Sequence, residues 1–244
     1  MFRQIIHPEY KSLEPFISSL PERFGAGEGE TIHRGRNELR RFSYGGNDYA
    51  VKSFGTPHLL NRFAYARIRA SKAKRSYWHA LELLSVGVNT PKPVAFIEEV
   101  KCGLLRHSFY VCLLSTCSHT YGEFLEADNQ PYMPKVMRAV GELTARLHNH
   151  GYVLRDYSRG NILFDFDGRG GVRIELVDLN RMTVYSHVSL HRGCLNFCRL
   201  PATPRMHRLL AQSYAAARGF DAARCLKLIT EFRKRECQRA KEKY

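Results

Sequence analysis

Apolar and polar positions fall into two regimes along the chain. Between Thr31 and Phe54 they read as short strands with turns. Leu39–Tyr44 is one predicted strand, Gly45-Gly46-Asn47-Asp48 has turn chemistry, and Tyr49–Phe54 is the predicted return strand. Residues 58–86, rich in Arg, Lys, Ala and Leu with Tyr77, Leu81 and Leu84 recurring at helical spacing, predict a helix that Gly87, Pro91 and Pro93 end. Val94–Ile97 and Phe109–Leu114 predict two further strands, and Ser115–Tyr121 is a polar connector suited to a hinge.

Beyond it the period changes. Val136, Val140, Leu143 and Leu147 fall on one face of a predicted helix over 132–150. A loop over 151–161 leads to a hairpin: Ile162-Leu163-Phe164, the turn Asp167-Gly168-Arg169-Gly170-Gly171, and a return strand over 172–178. Two helical stretches, 203–218 and a basic 221–241, complete the chain. The first 30 residues read as a polar leader ending in the flexible Phe24-Gly25-Ala26-Gly27-Glu28-Gly29, whose spacing misses the dinucleotide fingerprint. Strand-rich first and helix-rich second implies an α+β, two-lobed chain: a leader over 1–30, a small β-rich N-lobe over 31–118 and a compact helical C-lobe over 119–244.

Charge narrows the partners. Lys and Arg total 38 against 23 Asp and Glu, a formal charge of +15, which attracts anions. Finger spacings, RNP-like aromatics and basic-zipper heptads are missing, so nucleic acid is not an expected partner. No apolar run is long enough to span a membrane, and Pro8, Glu9 and Glu14 interrupt the start, so a cytoplasmic location is expected. The seven cysteines then read as reduced thiols, and Cys194, Cys198 and His191 lack a second ligand pair at zinc spacing.

Three segments carry the chemistry. In Leu154-Arg155-Asp156-Tyr157-Ser158-Arg159-Gly160-Asn161, an Asp, four residues and an Asn precede an apolar strand, the template of a kinase catalytic loop. The Asp must orient or deprotonate an attacking hydroxyl, and the Asn must turn back to hold a metal on the phosphates. Asp178, in Glu175-Leu176-Val177-Asp178-Leu179-Asn180, ends an apolar strand 17 positions after Asn161 (178 − 161), where the main metal carboxylate belongs. Mg²⁺ needs only one or two protein oxygens beside phosphates and water. Lys52, in Tyr49-Ala50-Val51-Lys52, suits a phosphate-binding lysine on a strand. Each residue alone has an ordinary structural reading. Their order, on the right predicted elements, points to the protein-kinase-like fold.

The chain at this point resembles the lipopolysaccharide core kinases, the Kdo and heptose kinase group of the protein-kinase-like superfamily. The resemblance runs from about Thr31 to Leu200 through His33-Arg34-Gly35-Arg36-Asn37-Glu38, Ala50-Val51-Lys52, Gly87-Val88-Asn89-Thr90-Pro91-Lys92-Pro93-Val94-Ala95, the catalytic loop, and Val177-Asp178-Leu179-Asn180-Arg181. It implies ATP- and Mg²⁺-dependent phosphorylation of an inner-core sugar hydroxyl, Kdo or heptose, or of a related glycolipid, at the cytoplasmic face of the inner membrane. Carried over by position, Asp156 is the catalytic base and Asn161 and Asp178 are metal ligands. Lys52 binds phosphate, and Gly35, Arg36 and Asn37 form the loop over the phosphates. Leu154 stands where the usual catalytic-loop His would be, the phosphate loop has only Gly35, and Glu82 is the first acidic residue after Lys52, so either Glu82 or another group orients that lysine.

Ser158 replaces the Lys common two residues after the base in serine/threonine protein kinases, and only 66 residues follow Asp178 (244 − 178), with no Ala-Pro-Glu segment. A compact acceptor such as a saccharide is therefore expected. The basic last helix is compatible with peripheral contact on anionic lipid. The alternatives are a non-catalytic kinase-fold binding protein and a protein or small-molecule kinase of the same fold.

Overall fold

A computed structural model of the chain describes residues 2–55, 70–126 and 129–242. The chain divides into two compact units: residues 1–82 with 91–116, and residues 83–90 with 117–244.

The first unit is built on a six-stranded antiparallel sheet of β1 (Phe2–Ile6), β2 (Glu30–Arg34), β3 (Asn37–Tyr44), β4 (Asn47–Phe54), β5 (Pro93–Lys101) and β6 (Leu104–Leu113). Their order across the sheet is β1-β5-β6-β4-β3-β2. Gly45 and Gly46 both take positive φ, 57° and 77°, which closes the β3–β4 hairpin with the twist its strands need. Side chains alternate between two faces. Phe42, Tyr49, Val51, Ala95, Ile97, Phe109 and Val111 bury one face against Phe16, Ile17, Leu20 and Phe24 of α1 (Glu14–Gly25). Phe54, Phe96 and Tyr110 meet Ala73 and Tyr77 of α2 (Lys72–Ser85) on the other. By the same alternation Lys52 lies on the α2 face, its Nζ 5.5 Å from the centroid of the Phe54 ring.

The leader expected over residues 1–30 is instead integral to this unit. β1 pairs with β5 from Phe2↔Glu99 to Ile6↔Ala95, and the buried face of α1 is part of the core. Positions 16, 17, 20 and 24 have helical spacing, and Pro15 sits in the first turn of α1, where a missing N–H costs nothing. The helix is also tied to the sheet. Arg40, nearly buried, donates through Nη1 to Phe24 O and Glu28 O, both at 2.9 Å, and pairs with Glu38 at 2.8 Å. Its guanidinium lies 4.1 Å from the Phe24 ring centroid. The predicted helix over 58–86 is observed at Lys72–Ser85; residues 56–69 lie outside the described ones.

The second unit is mainly helical. It comprises β7 (His119–Thr120), α3 (Met133–Asn149), β8 (Tyr152–Leu154), β9 (Ile162–Phe166), β10 (Val172–Leu176), β11 (Met182–Val184), α4 (Leu190–Asn196), α5 (Pro204–Arg218) and α6 (Ala222–Lys241). The strands form two small sheets, β10-β9-β7 and β11-β8, and β8 occupies part of the expected 151–161 loop. α3 packs closely on α5 because Gly141 faces it: a Cβ there would collide with Ser213 Oγ and come within 2.9 Å of Leu210 O. None of the described helices is long and apolar enough to cross a membrane.

Arg40→Ala strips two carbonyls and a half-buried carboxylate of their donor at once. It is expected to lower unfolding free energy by roughly 2–4 kcal/mol. Arg40→Lys, which lacks the fork, should recover less than half, as read from urea melts of the three proteins.

Candidate active site

Gly151, in the left-handed conformation at φ +81°, ends α3 where the sequence places a helix stop, and its tight approach to Tyr185 O leaves no space for a Cβ. The chain then forms β8, which pairs with β11 at Tyr152↔Val184, Val153↔Thr183 and Leu154↔Met182. One further backbone bond, Arg155 N to Arg181 O at 2.9 Å, extends this pairing to the residue before Asp156.

The loop after it closes on itself through Asn161. Its amide N donates to Ser158 O at 3.0 Å and its side-chain Nδ2 to Asp156 O at 2.7 Å, while its own carbonyl accepts from Val177 N at 3.0 Å. Val177 directly precedes Asp178. Asp156, Asn161 and Asp178 are therefore brought together by one set of short bonds within the second unit. Because Nδ2 is committed to Asp156 O, Oδ1 is the acceptor that the Asn161 amide has left.

Asp178 takes left-handed φ 59°, ψ 51°, a conformation that costs a non-glycine residue about 1 kcal/mol or more. Asn180, itself buried, donates from Nδ2 to Asp178 Oδ1 at 2.5 Å and holds the carboxylate. The segment Gly87–Thr90 clamps the same strand: Leu176 N donates to Asn89 O at 3.0 Å, and Arg146 Nη1 of α3 to Gly87 O at 2.8 Å.

Two arginines reach the Asp156 carboxylate. Arg181 Nη1 lies 3.0 Å from Oδ1 and 3.4 Å from Oδ2, and Arg199 Nη1 lies 3.3 Å from Oδ1. Arg199 also pairs through Nε with Glu236 of α6 at 3.5 Å.

Beneath the loop lie buried polar bridges. Tyr157 OH meets Thr144 Oγ1 at 2.7 Å, and Thr144 in turn bonds Val140 O. His148 joins three elements: Nδ1 to Tyr214 OH at 2.9 Å, and Nε2 to Asn196 Oδ1 at 3.1 Å, while Asn196 Nδ2 donates to Leu154 O at 2.7 Å. A single neutral tautomer satisfies every partner: Tyr214 donates to Nδ1, and Nε2–H donates to Asn196. Burial lowers the His148 pKa to about 4, against the smaller raising effect of the Asn196 bond.

The other predicted residues lie in the first unit. Gly35 and Arg36 form the β2–β3 turn, where Gly35 N donates to Asn37 O at 3.1 Å. Asn37 opens β3 opposite Phe54, and Lys52 sits on β4 between Leu39 and Tyr110. Glu82 is on α2. Asn180, Arg181, Arg199, His148 and Asn196 were not singled out from sequence. Asn180 and Arg181 adjoin the recognised aspartate motif, whereas Arg199 and Asn196 carry no local signal. The cysteines are free thiols, and no cluster of three or more His, Cys, Asp or Glu side chains suited to a metal occurs among the described residues.

The arrangement defines a class: a phosphotransferase of the protein-kinase-like fold. Residues 55–189, more than half of the chain, match the family model described as the lipopolysaccharide kinase (Kdo/WaaP) family, and the chain belongs to that family. The matched range contains Glu82, Asp156, Asn161, Asp178 and Arg181; Lys52 and Arg199 fall outside it. Among solved structures, WaaP in complex with acyl carrier protein is similar, with TM-score 0.62, 18% identity and 99% of each chain covered, a likeness of fold. WbdD gives TM-score 0.48 and 16% identity over 84% of this chain and 45% of its own. No curated protein matches the chain. The protein is thus a kinase of lipopolysaccharide biosynthesis with an α+β fold, as the resemblance implied.

His148 gives this loop a pH signature. Its proton affinity is ordinary in the unfolded chain (pKa 6.5) and depressed to about 4 in the fold. Between these values the unfolded chain binds more protons, so stability present above pH 6.5 is lost as pH falls toward 4, by roughly 3 kcal/mol at the limit. In His148→Gln this component should vanish. Urea melts from pH 7 to 4 should show a shallower slope for the variant.

Proposed function

We propose that this kinase transfers the γ-phosphoryl of ATP to a hydroxyl of the lipopolysaccharide inner-core saccharide, with Asp156 as the residue that receives the hydroxyl proton. The observation that carries this reading is the Asn161-centred bonding, which unites Asp156, Asn161 and Asp178 in one loop system. In the step, the acceptor oxygen forms a bond to Pγ as the bond from Pγ to the β,γ-bridging oxygen breaks. ADP departs with that electron pair, and the hydroxyl proton passes to an Asp156 oxygen. Such transfers depend on positioning and charge stabilisation rather than covalent catalysis, which suits a rigid loop with a single base.

The donor set fits a hard divalent cation: an amide oxygen on Asn161 and a carboxylate on Asp178 fixed by Asn180. These residues would hold Mg²⁺, which supplies neutralising charge to the phosphates. Lys52 serves the α/β-phosphates with Glu82 as its orienting partner, and the Gly35-Arg36-Asn37 turn covers the nucleotide. The acceptor lies at the membrane surface, and the basic α6 offers a peripheral contact to anionic lipid worth about 1 kcal/mol for each well-placed cation.

Purified protein is expected to phosphorylate deacylated inner-core saccharide with ATP and Mg²⁺. Asp156→Ala should reduce turnover at least about 10³-fold while leaving ATP-induced thermal stabilisation in place. Asp178→Ala should abolish the Mg²⁺-dependent part of that stabilisation. Retained turnover in Asp156→Ala would overturn its role. A wild-type protein that neither binds ATP nor phosphorylates the saccharide would support a binding protein of the same fold.

A further inference from the structure

The basic helix α6 has two faces. Lys227, Lys234 and Lys241 are exposed on one side. On the other, Cys225, Ile229 and Phe232 are buried, and Arg233 and Glu236 fall beside them at helical spacing, both partly buried. These two charged residues turn inward to one short segment, Phe197–Arg199. Arg233 Nη1 donates to Cys198 O at 2.9 Å, and Glu236 Oε1 lies 3.5 Å from Arg199 Nε. Burial first, and the Arg233 charge after it, keep His207 of α5 below its usual pKa, which places that guanidinium within the helix packing.

The same segment meets the catalytic loop. The buried Phe197 ring packs edge-on against Tyr157, centroids 6.2 Å apart, and Leu200 is buried just past Arg199. Arg199 Nη1 then spans two acceptors on consecutive residues: Arg155 O at 3.4 Å and Asp156 Oδ1 at 3.3 Å. Arg181 is tied to the same loop through its own carbonyl, which accepts from Arg155 N. Among the described residues Oδ1 thus receives both guanidiniums, whereas Oδ2 is approached only by Arg181, at 3.4 Å. A carboxylate held by one oxygen keeps the other open toward a hydroxyl. Contacts this long between partly exposed groups add little to stability. Their consequence is directional, because an ångström of misplacement at a reacting group costs about 10²-fold in rate.

We propose that Arg199 is a positioning residue for Asp156, and that Glu236 and Arg233 set it in place, which makes α6 part of the catalytic apparatus as well as a basic surface. Arg233 fixes the backbone before Arg199, and Glu236 fixes the direction of its guanidinium. Arg199 in turn holds Asp156 Oδ1, so that Oδ2 receives the acceptor's proton. Arg199 acts on the base, so its loss slows the bound complex without weakening either substrate. This inference rests on the reading of Asp156 as the base.

The test is steady-state kinetics of the full chain with ATP, Mg²⁺ and deacylated inner-core saccharide. Arg199→Ala should lower kcat by about 10- to 100-fold while KM for either substrate changes less than about twofold, the pattern of an interaction that matters only in the transition state. Arg199→Lys should recover part of the loss. Glu236→Gln, an exchange of nearly equal shape, and Arg233→Lys should each lower kcat by roughly 3- to 10-fold. Combined with Arg199→Ala, Glu236→Gln should add nothing, because its route to the base is already cut. Urea melts of Glu236→Gln should overlay those of the wild type. Unchanged kcat in Arg199→Ala, a loss confined to the saccharide KM, multiplying losses in the double variant, or a Glu236→Gln loss matched by loss of folded protein would each overturn the proposal while leaving Asp156 as the base. Turnover retained by Asp156→Ala, or none by the wild type, would remove the base assignment and the proposal with it.

Discussion

The second unit depends on what Asn161 does with its side chain and its backbone carbonyl. Donation of Nδ2 to Asp156 O closes the loop, and the Asn161 carbonyl simultaneously receives Val177 N at the end of β10. Two segments that arrive from different directions are thereby fixed against each other over a few ångströms. Loops are ordinarily the mobile part of a fold. This one is braced from below by the Tyr157–Thr144 bond and by the Tyr214–His148–Asn196–Leu154 relay, in which all but the half-buried Asn196 are buried groups that would be costly to leave unpaired.

The local strain is concentrated where chemistry would use it. Asp178 is one of two described non-glycine residues with positive φ; the other, Cys102, lies in an exposed hairpin turn. Asn180 and the Val177 bond hold Asp178 in that conformation from either side. A carboxylate so fixed loses little freedom on meeting a cation, which is the physical content of preorganisation.

Much of this was legible in the sequence because the deciding spacings are local. The Asp156-to-Asn161 interval, the apolar strand before Asp178, and the change from strand-like to helix-like periodicity after the connector all lie within short windows. The helix stop at Gly151 and the Gly45-Gly46 turn follow from glycine's tolerance of positive φ. The fold of the first 30 residues was not legible. β1 is an edge strand with Phe2 and Ile5 exposed, so its pattern is weak, and its partner β5 lies some 90 positions away in sequence. The proline-containing α1 hides its helical spacing in the same way. Arg199 and Asn196 were missed because their contacts with the catalytic loop span 43 and 42 positions and leave no local trace. Lys52 was singled out from its place on an apolar strand, and Glu82 only because a family resemblance supplied the expectation of an orienting partner.

The proposed chemistry depends on Asn161 as the link between the Asp156 loop and the Asp178 segment. The most direct measurement is the mass of deacylated inner-core saccharide after incubation with ATP, Mg²⁺ and either wild-type protein or Asn161→Ala, with circular dichroism confirming that both are folded. The account expects a phosphorylated product from the wild type and essentially none from the variant. Phosphorylation by a folded Asn161→Ala protein at the wild-type rate would contradict it.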